Sequence, residues 1–193
     1  MKEHIQQMIE TSLHIKQAMA KDESLIALLE EVAKQMISVF QHGGKVLLAG
    51  NGGSAADAQH IAAELSGRFR RDRSPLFAEA LHVNSSFLTA VSNDYGYEEA
   101  FARMVEGMGR PGDLLIAIST SGNSPNILRA VERAHVGEML VVGLTGQSGG
   151  ALREEADFWV PVPSNDTPRI QESHILIGHI LCELVEQALF GDA

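Results

Sequence analysis

Apolar positions change their period near residue 44. Over residues 3 to 20, Ile5, Met8, Ile9, Leu13 and Ile15 recur at roughly helical spacing. Over 24 to 41, Leu25, Leu28, Leu29, Val32, Met36 and Val39 do the same, and Gly43-Gly44 stops the run. Two helices therefore precede the first strand. Such a hairpin either packs on another subunit or covers the sheet. Beyond it, short apolar runs alternate with helical stretches. "KVLLAG" (45–50), "LFAEAL" (76–81), "DLLIAIS" (113–119), "EMLVVGLT" (138–145) and "ADFWVPV" (156–162) read as strands. The third and fourth are nearly continuous apolar runs, as strands buried on both faces are. Helices are predicted over 54–66, 85–92, 97–107, 124–135, 150–155 and 169–190.

Alternating strands and helices imply parallel β-α-β units. The predicted fold is α/β: a doubly wound, five-stranded parallel sheet in the order 2-1-3-4-5, preceded by the helical hairpin. No repeat or linker divides the chain, so 1–193 reads as one domain, with helices over 1–42 and the core over 45–193.

Composition narrows the function classes. The 193 residues are 45% hydrophobic and 21% charged, with a formal net charge of −10. A duplex nucleic-acid binder neutralises phosphates with clustered Lys and Arg. The one dense basic cluster here, Arg68 to Arg73, is short and broken by Asp72, so nucleic acid is not an expected partner. The single cysteine, Cys182, permits no intrachain disulfide and points to a cytosolic compartment with a buried, inert thiol. The first residues lack a signal-peptide core, and no apolar run approaches the ~20 residues of a membrane span.

Two loops after predicted strands carry candidate chemistry. In "GNGGSAAD" (50–57), glycines let the backbone approach a ligand, and Ser54 with Asp57 can cap the following helix. That helix start offers N–H groups and partial positive charge to an anion. In "ISTSGNSPN" (118–126), Ser119, Thr120, Ser121 and Ser124 surround Gly122, and Pro125 suits the first helical position. Hydroxyls and N–H groups together form a phosphate nest. In the 2-1-3-4-5 order, the strands bearing both loops are neighbours at the switch point, where open α/β sheets bind ligands. Neither a P-loop nor a dinucleotide fingerprint is present.

His60 and Glu64 are four apart on one helix face, a spacing shared by metal ligands and by ordinary surface pairs. The last helix adds Gln171, Glu172, His174 and His179. His179 lies in an apolar segment, where a histidine is either a core residue or a ligand.

These motifs, with "SNDYGYE", "LTGQSGG" and "RIQESHILIGHI", resemble the bacterial phosphoheptose isomerases, a family of sugar-isomerase (SIS) domain proteins. The resemblance runs nearly end to end. It implies conversion of sedoheptulose 7-phosphate to D-glycero-D-manno-heptose 7-phosphate, the first step toward the heptose of lipopolysaccharide or capsule. It implies a cytoplasmic homotetramer with active sites between subunits and one zinc per subunit. By motif, His60, Glu64, Gln171 and His179 are the implied metal ligands, and Glu64 and His179 the acid/base pair. The implied substrate contacts are Asn51, Gly52, Gly53, Glu64, Asn93, Asp94, Ser119, Thr120, Ser121, Ser124 and Gln171. Gln171 and His179 are eight residues apart, about 12 Å along a straight helix. One metal takes both only if their side chains reach toward each other, if the helix begins after Gln171, or if two subunits contribute. Asn84 and Pro168 stand where relatives carry Asp. The alternative is a non-catalytic relative that binds the replication initiator DnaA, but that protein lacks counterparts of Glu64 and His179. A sugar-phosphate sensor would add a DNA-binding module, and none is visible.

Overall fold

The structure, a computed structural model, describes residues 1–191. Residues 192–193, included in the one-domain expectation, lie outside the described residues. Two helices open the chain, α1 (Lys2–Lys21) and α2 (Glu23–Gln41). Asp22 separates them and caps α2, accepting from the N–H groups of Ser24 and Leu25 at 3.0 Å each.

Strands β1 (Val46–Gly50), β2 (Ala78–Ala80), β3 (Leu114–Ile118), β4 (Leu140–Thr145) and β5 (Phe158–Pro161) form one parallel sheet ordered β2-β1-β3-β4-β5. This is the order the sequence predicts. Between and after the strands lie α3 (Gly53–Ser66), α4 (Ser85–Tyr95), a 3-10 turn (Tyr97–Glu99), α5 (Ala100–Met108), α6 (Pro125–Val136), α7 (Leu152–Glu155) and α8 (Thr167–Phe190).

Alternation along the central strands divides the core into two layers. Val46 and Leu48 of β1, with Leu114, Ile116 and Ile118 of β3, pack with Val32 and Met36 of α2, Ile61 and Leu65 of α3, and Ile177 and Leu181 of α8. Leu47 and Ala49, with Leu115 and Ala117, pack on the other face with Phe101 and Val105 of α5 and Ile127 and Val131 of α6. Burying both faces of β1 and β3 explains their unbroken apolar runs.

Three expectations need correction. The helix predicted over 97–107 begins as the 3-10 turn and becomes α-helical only at Ala100. Helix α3 starts one residue before Ser54, with Gly52 at its N-cap and no side-chain cap. Ser54 is instead buried inside the first turn, so it cannot pair with Asp57 as a box. Third, although no apolar run approaching a membrane span was expected, α8 contains an 18-residue window whose mean hydropathy, 1.2, reaches that of a span. Its apolar face, Ile170, Ile177, Leu181 and Val185, is buried against α2, α3 and the sheet, as in a core helix.

Candidate active site

Strands β1 and β3 are paired through Gly50 and Ile118, so Asn51 and Ser119 leave the sheet side by side. The two loops are clamped by amides. Asn51 Nδ2 donates to Asn126 Oδ1 at 2.9 Å, and Asn126 Nδ2 returns a bond to Asn51 Oδ1 at 2.8 Å. Tyr97 adds a third bond, its hydroxyl donating to Asn51 Oδ1 at 2.9 Å. Asn126 is buried on the first turn of α6, so the clamp ties the start of one site helix to the loop before the other.

The serine loop is compact. Ser119 Oγ and Ser124 Oγ lie 3.0 Å apart, and the N–H of Asn123 donates to Ser121 Oγ. Gly122 has φ +69°, and a Cβ there would sit 1.8 Å from the carbonyl oxygen of Gly149, so only glycine fits. The "TGQSGG" segment supports this loop from behind. Gly146 N–H donates to Thr120 O, Leu152 N–H to Gly122 O, and Ala151 N–H to Asn123 Oδ1. Neither α3 nor α6 has a side-chain cap, although Pro125 occupies the first turn of α6 as predicted. Two helix starts with their positive ends therefore flank one opening. Asn93 and Asp94 are exposed at the end of α4, bonded to each other at 2.8 Å and just ahead of Tyr97 in the chain. Asn84 caps α4 through the N–H of Phe87, and Pro168 lies in the first turn of α8.

Helices α3 and α8 lie side by side and run in the same direction. Gln171 packs against Gly53, Gly178 against Ile61, and His179 against His60. At this crossing, His60 Nε2 is 3.0 Å from His179 Nε2 and 3.3 Å from Glu64 Oε1. One ligand atom from each of the three residues falls within 4.8 Å of the others. Two imidazole nitrogens and a carboxylate oxygen, part-exposed at one point, are the donor set of a three-ligand site with an open position. The chemistry of this trio fits a borderline divalent cation.

Gln171 lies elsewhere. Helix α8 starts at Thr167, before Gln171, and is continuous to Phe190, so the helix does not begin late enough to bring Gln171 near His179. The Gln171 amide instead lies against Gly53, at the start of α3. Between Gly53 and His60, α3 rises about 10 Å. Asp57, between them on α3, has a buried Oδ2 without a hydrogen-bond partner. Burial raises its pKa to about 6, against the opposing pull of His60.

Sequence reasoning missed Asn126, Tyr97 and Phe69. Phe69 stacks on the His179 ring, with centroids 5.7 Å apart and planes at 22°. Asn126 and Tyr97 lie inside motifs that stood out, yet nothing local pairs either with Asn51, 75 and 46 residues away.

Comparison with known proteins shows the family of the chain. A family model described as SIS domain matches residues 9–146. The chain is 52% identical over 190 residues to the phosphoheptose isomerase of Aneurinibacillus thermoaerophilus, covering 98% of this chain and 96% of that one. It superposes on the phosphoheptose isomerase of Neisseria gonorrhoeae with TM-score 0.91 and 41% identity, covering 96% of this chain and 98% of that one. The corresponding values for the Francisella tularensis phosphoheptose isomerase are 0.92 and 42%, over 96% and 97%. With the SIS model matched over most of the chain and about half of its residues identical over nearly the full length of such a relative, the chain belongs to the phosphoheptose isomerase family of SIS-domain proteins.

Proposed function

We propose that this chain isomerises sedoheptulose 7-phosphate to D-glycero-D-manno-heptose 7-phosphate, opening the route to the heptose of lipopolysaccharide or capsule. The observation that carries the reading is the His60–Glu64–His179 trio, set along α3 from the paired Asn51 and serine loops. The relatives are phosphoheptose isomerases, and a DnaA-binding role is not favoured.

The reaction moves a proton from C1 to C2 through an enediol. Ser119, Thr120, Ser121 and Ser124, with the starts of α3 and α6, receive the phosphate. That contact fixes the far end of the carbon chain. The ~10 Å rise from Gly53 to His60 is of the order of an extended seven-carbon sugar phosphate. Asn51, Gly52, Gly53 and Gln171, which lies against Gly53, are assigned as further substrate contacts, together with Asn93 and Asp94. Glu64 and His179 form the acid/base pair: one removes the C1 proton, and protons pass between O1 and O2 before C2 is reprotonated. Zinc, one per subunit, is assigned to His60, Glu64 and His179, with Gln171 serving the sugar in its own chain. When bound, the ion supplies polarisation of the substrate carbonyl.

A cytoplasmic homotetramer with active sites between subunits is part of the same reading. Its support is the row of exposed apolar residues on α1, Ile5, Ile9 and Leu13.

The test is NMR of sedoheptulose 7-phosphate with zinc-supplemented protein in deuterated water. Heptose 7-phosphate carrying solvent deuterium at C2 is expected. The Glu64→Gln variant should lose about 10²-fold or more in kcat with its sedimentation unchanged. No conversion by folded, zinc-loaded protein overturns the function, and a full rate in Glu64→Gln overturns the catalytic assignment.

A further inference from the structure

The segment after α3, "GRFRRDRS" (67–74), is strapped onto α8 by one carboxylate. Glu186 is 3% exposed. Its Oε1 accepts from the N–H groups of Arg70 and Arg71 at 2.8 and 2.9 Å. Its Oε2 accepts from the N–H of Phe69 at 3.2 Å and from Arg73 Nε at 3.1 Å. Three successive backbone N–H groups around an anion form a nest, here filled by the protein's own side chain. The Arg73 guanidinium then donates to the carbonyl oxygens of Glu64 (2.8 Å), Leu65 (2.7 Å), Gly67 (3.3 Å) and Ser74 (3.0 Å). Two of these carbonyls, of Glu64 and Leu65, are among those that the end of α3 leaves without helical partners.

The strap delivers two things to the trio. It fixes the helical turn that carries Glu64. It also presents the Phe69 ring to the face of His179, whose edge meets His60. An imidazole on a part-exposed helix face turns freely about χ2, because that torsion is broad. A ring stacked on one face fixes the imidazole plane and leaves two settings related by a ring flip, of which the one that aims Nε2 at His60 is occupied.

The geometry points to Phe69 as a positioning residue for His179, held in place by the Glu186–Arg73 strap. Its catalytic consequence rests on the isomerase reading above; its structural content does not. Outer groups that orient a metal-binding histidine change affinity or rate by about 10- to 100-fold when removed. Phe69 lies near the trio and away from the serine loop, so its loss should lower kcat without raising KM.

The experiment compares Phe69→Leu, which keeps apolar bulk, with Phe69→Tyr, which keeps the ring. In side-chain-labelled, metal-free protein, NMR relaxation should show the His179 ring ordered in wild type and Phe69→Tyr and mobile in Phe69→Leu. Calorimetric titration with zinc should give a dissociation constant about 10-fold weaker for Phe69→Leu alone. Its kcat should fall by a similar factor at unchanged KM, with rescue in Phe69→Tyr. An equally ordered His179 ring in Phe69→Leu overturns the proposal. Should wild type fail to turn over the sugar, the isomerase reading falls, and ring order still decides the role of Phe69.

Discussion

His174 sits five residues before His179 on α8, yet it is fully buried and belongs to the frame of the site. Its Nε2 lies 3.1 Å from the carbonyl oxygen of Thr145, an acceptor, so Nε2 carries the proton. Nδ1 is buried without a partner, and protonating it would strand a second donor. Burial accordingly lowers the His174 pKa to about 4, with the Thr145 bond opposing. The folded value lies below the unfolded one near 6.5, so the unfolded chain takes up the proton first as pH falls. The His174 contribution is full above about pH 6.5 and is lost toward pH 4. Asp57 has the opposite sign: its folded pKa of about 6 exceeds the unfolded value, so its burial cost is relieved as pH falls through 6. A comparison with His174→Gln isolates the histidine. In urea unfolding, the stability gap between wild type and variant should narrow by about 2 kcal/mol from pH 7.5 to pH 5. A pH-independent gap would refute the assignment. The sequence offered His174 only as one polar residue among four on α8. What separates it from His179 is burial against the end of β4, which no local pattern reports.

At the scale of elements, the decisive contact is α3 against α8. A Cβ on Gly178 would lie 2.4 Å from Ile61 Cδ1 and 2.6 Å from its Cγ1. Isoleucine in a helix has little χ1 freedom to retreat. Gly178→Ala gains up to about 1 kcal/mol of helix propensity. Overpacking costs about 1–3 kcal/mol. Net destabilisation of about 1 kcal/mol should result, and His60 and His179 should part enough to weaken zinc binding. The double variant with Ile61→Val should recover part of both losses, a coupling that a thermodynamic cycle measures. Additive effects would mean that the helices do not meet as described. The elements were largely legible beforehand, because strand and helix periods differ and the strand runs are short. The helix caps were less so: Ser54 has the chemistry of a cap, but the chain turns into α3 at Gly52, two residues earlier than that role requires. The long-range amide clamp of Asn51 was invisible, since a sequence window holds one partner at a time.

At the scale of the molecule, α1 gathers several exposed apolar residues along one helix. Ile5, Ile9 and Leu13 are 48%, 63% and 51% exposed. With Met8 they line a groove of about 480 Å³ that Arg169 and Glu172 of α8 close. Ser12 donates to Glu172 Oε2 at 2.7 Å, and Arg169 Nη1 to the Met8 carbonyl at 2.8 Å, so α1 is anchored while its apolar row stays open. Exposed apolar rows of this kind mark association surfaces. The variant Ile9→Lys with Leu13→Lys should sediment at lower mass than wild type while its circular dichroism is retained. An unchanged mass would remove α1 from any subunit interface. Alternation alone implied a parallel sheet; right-handed crossovers leave few ways to wind five such strands, and the choice of 2-1-3-4-5 among them came with the family resemblance rather than from the pattern. The position of α1 was left open between cover and interface, since an amphipathic helix looks the same in either place.

The side-by-side, same-direction course of α3 and α8 makes the site a matter of counting. Seven residues separate Gly53 from His60, and eight separate Gln171 from His179. Each helix is a scale with one end at the loops and the working mark two turns along, and Gly178 holds the two scales edge to edge. One residue inserted before His60 would swing it about 100° around its axis and off the shared face. Surface loops absorb such changes in length, but these two intervals cannot. The interval lengths are therefore as much a part of the proposed site as the side chains they space.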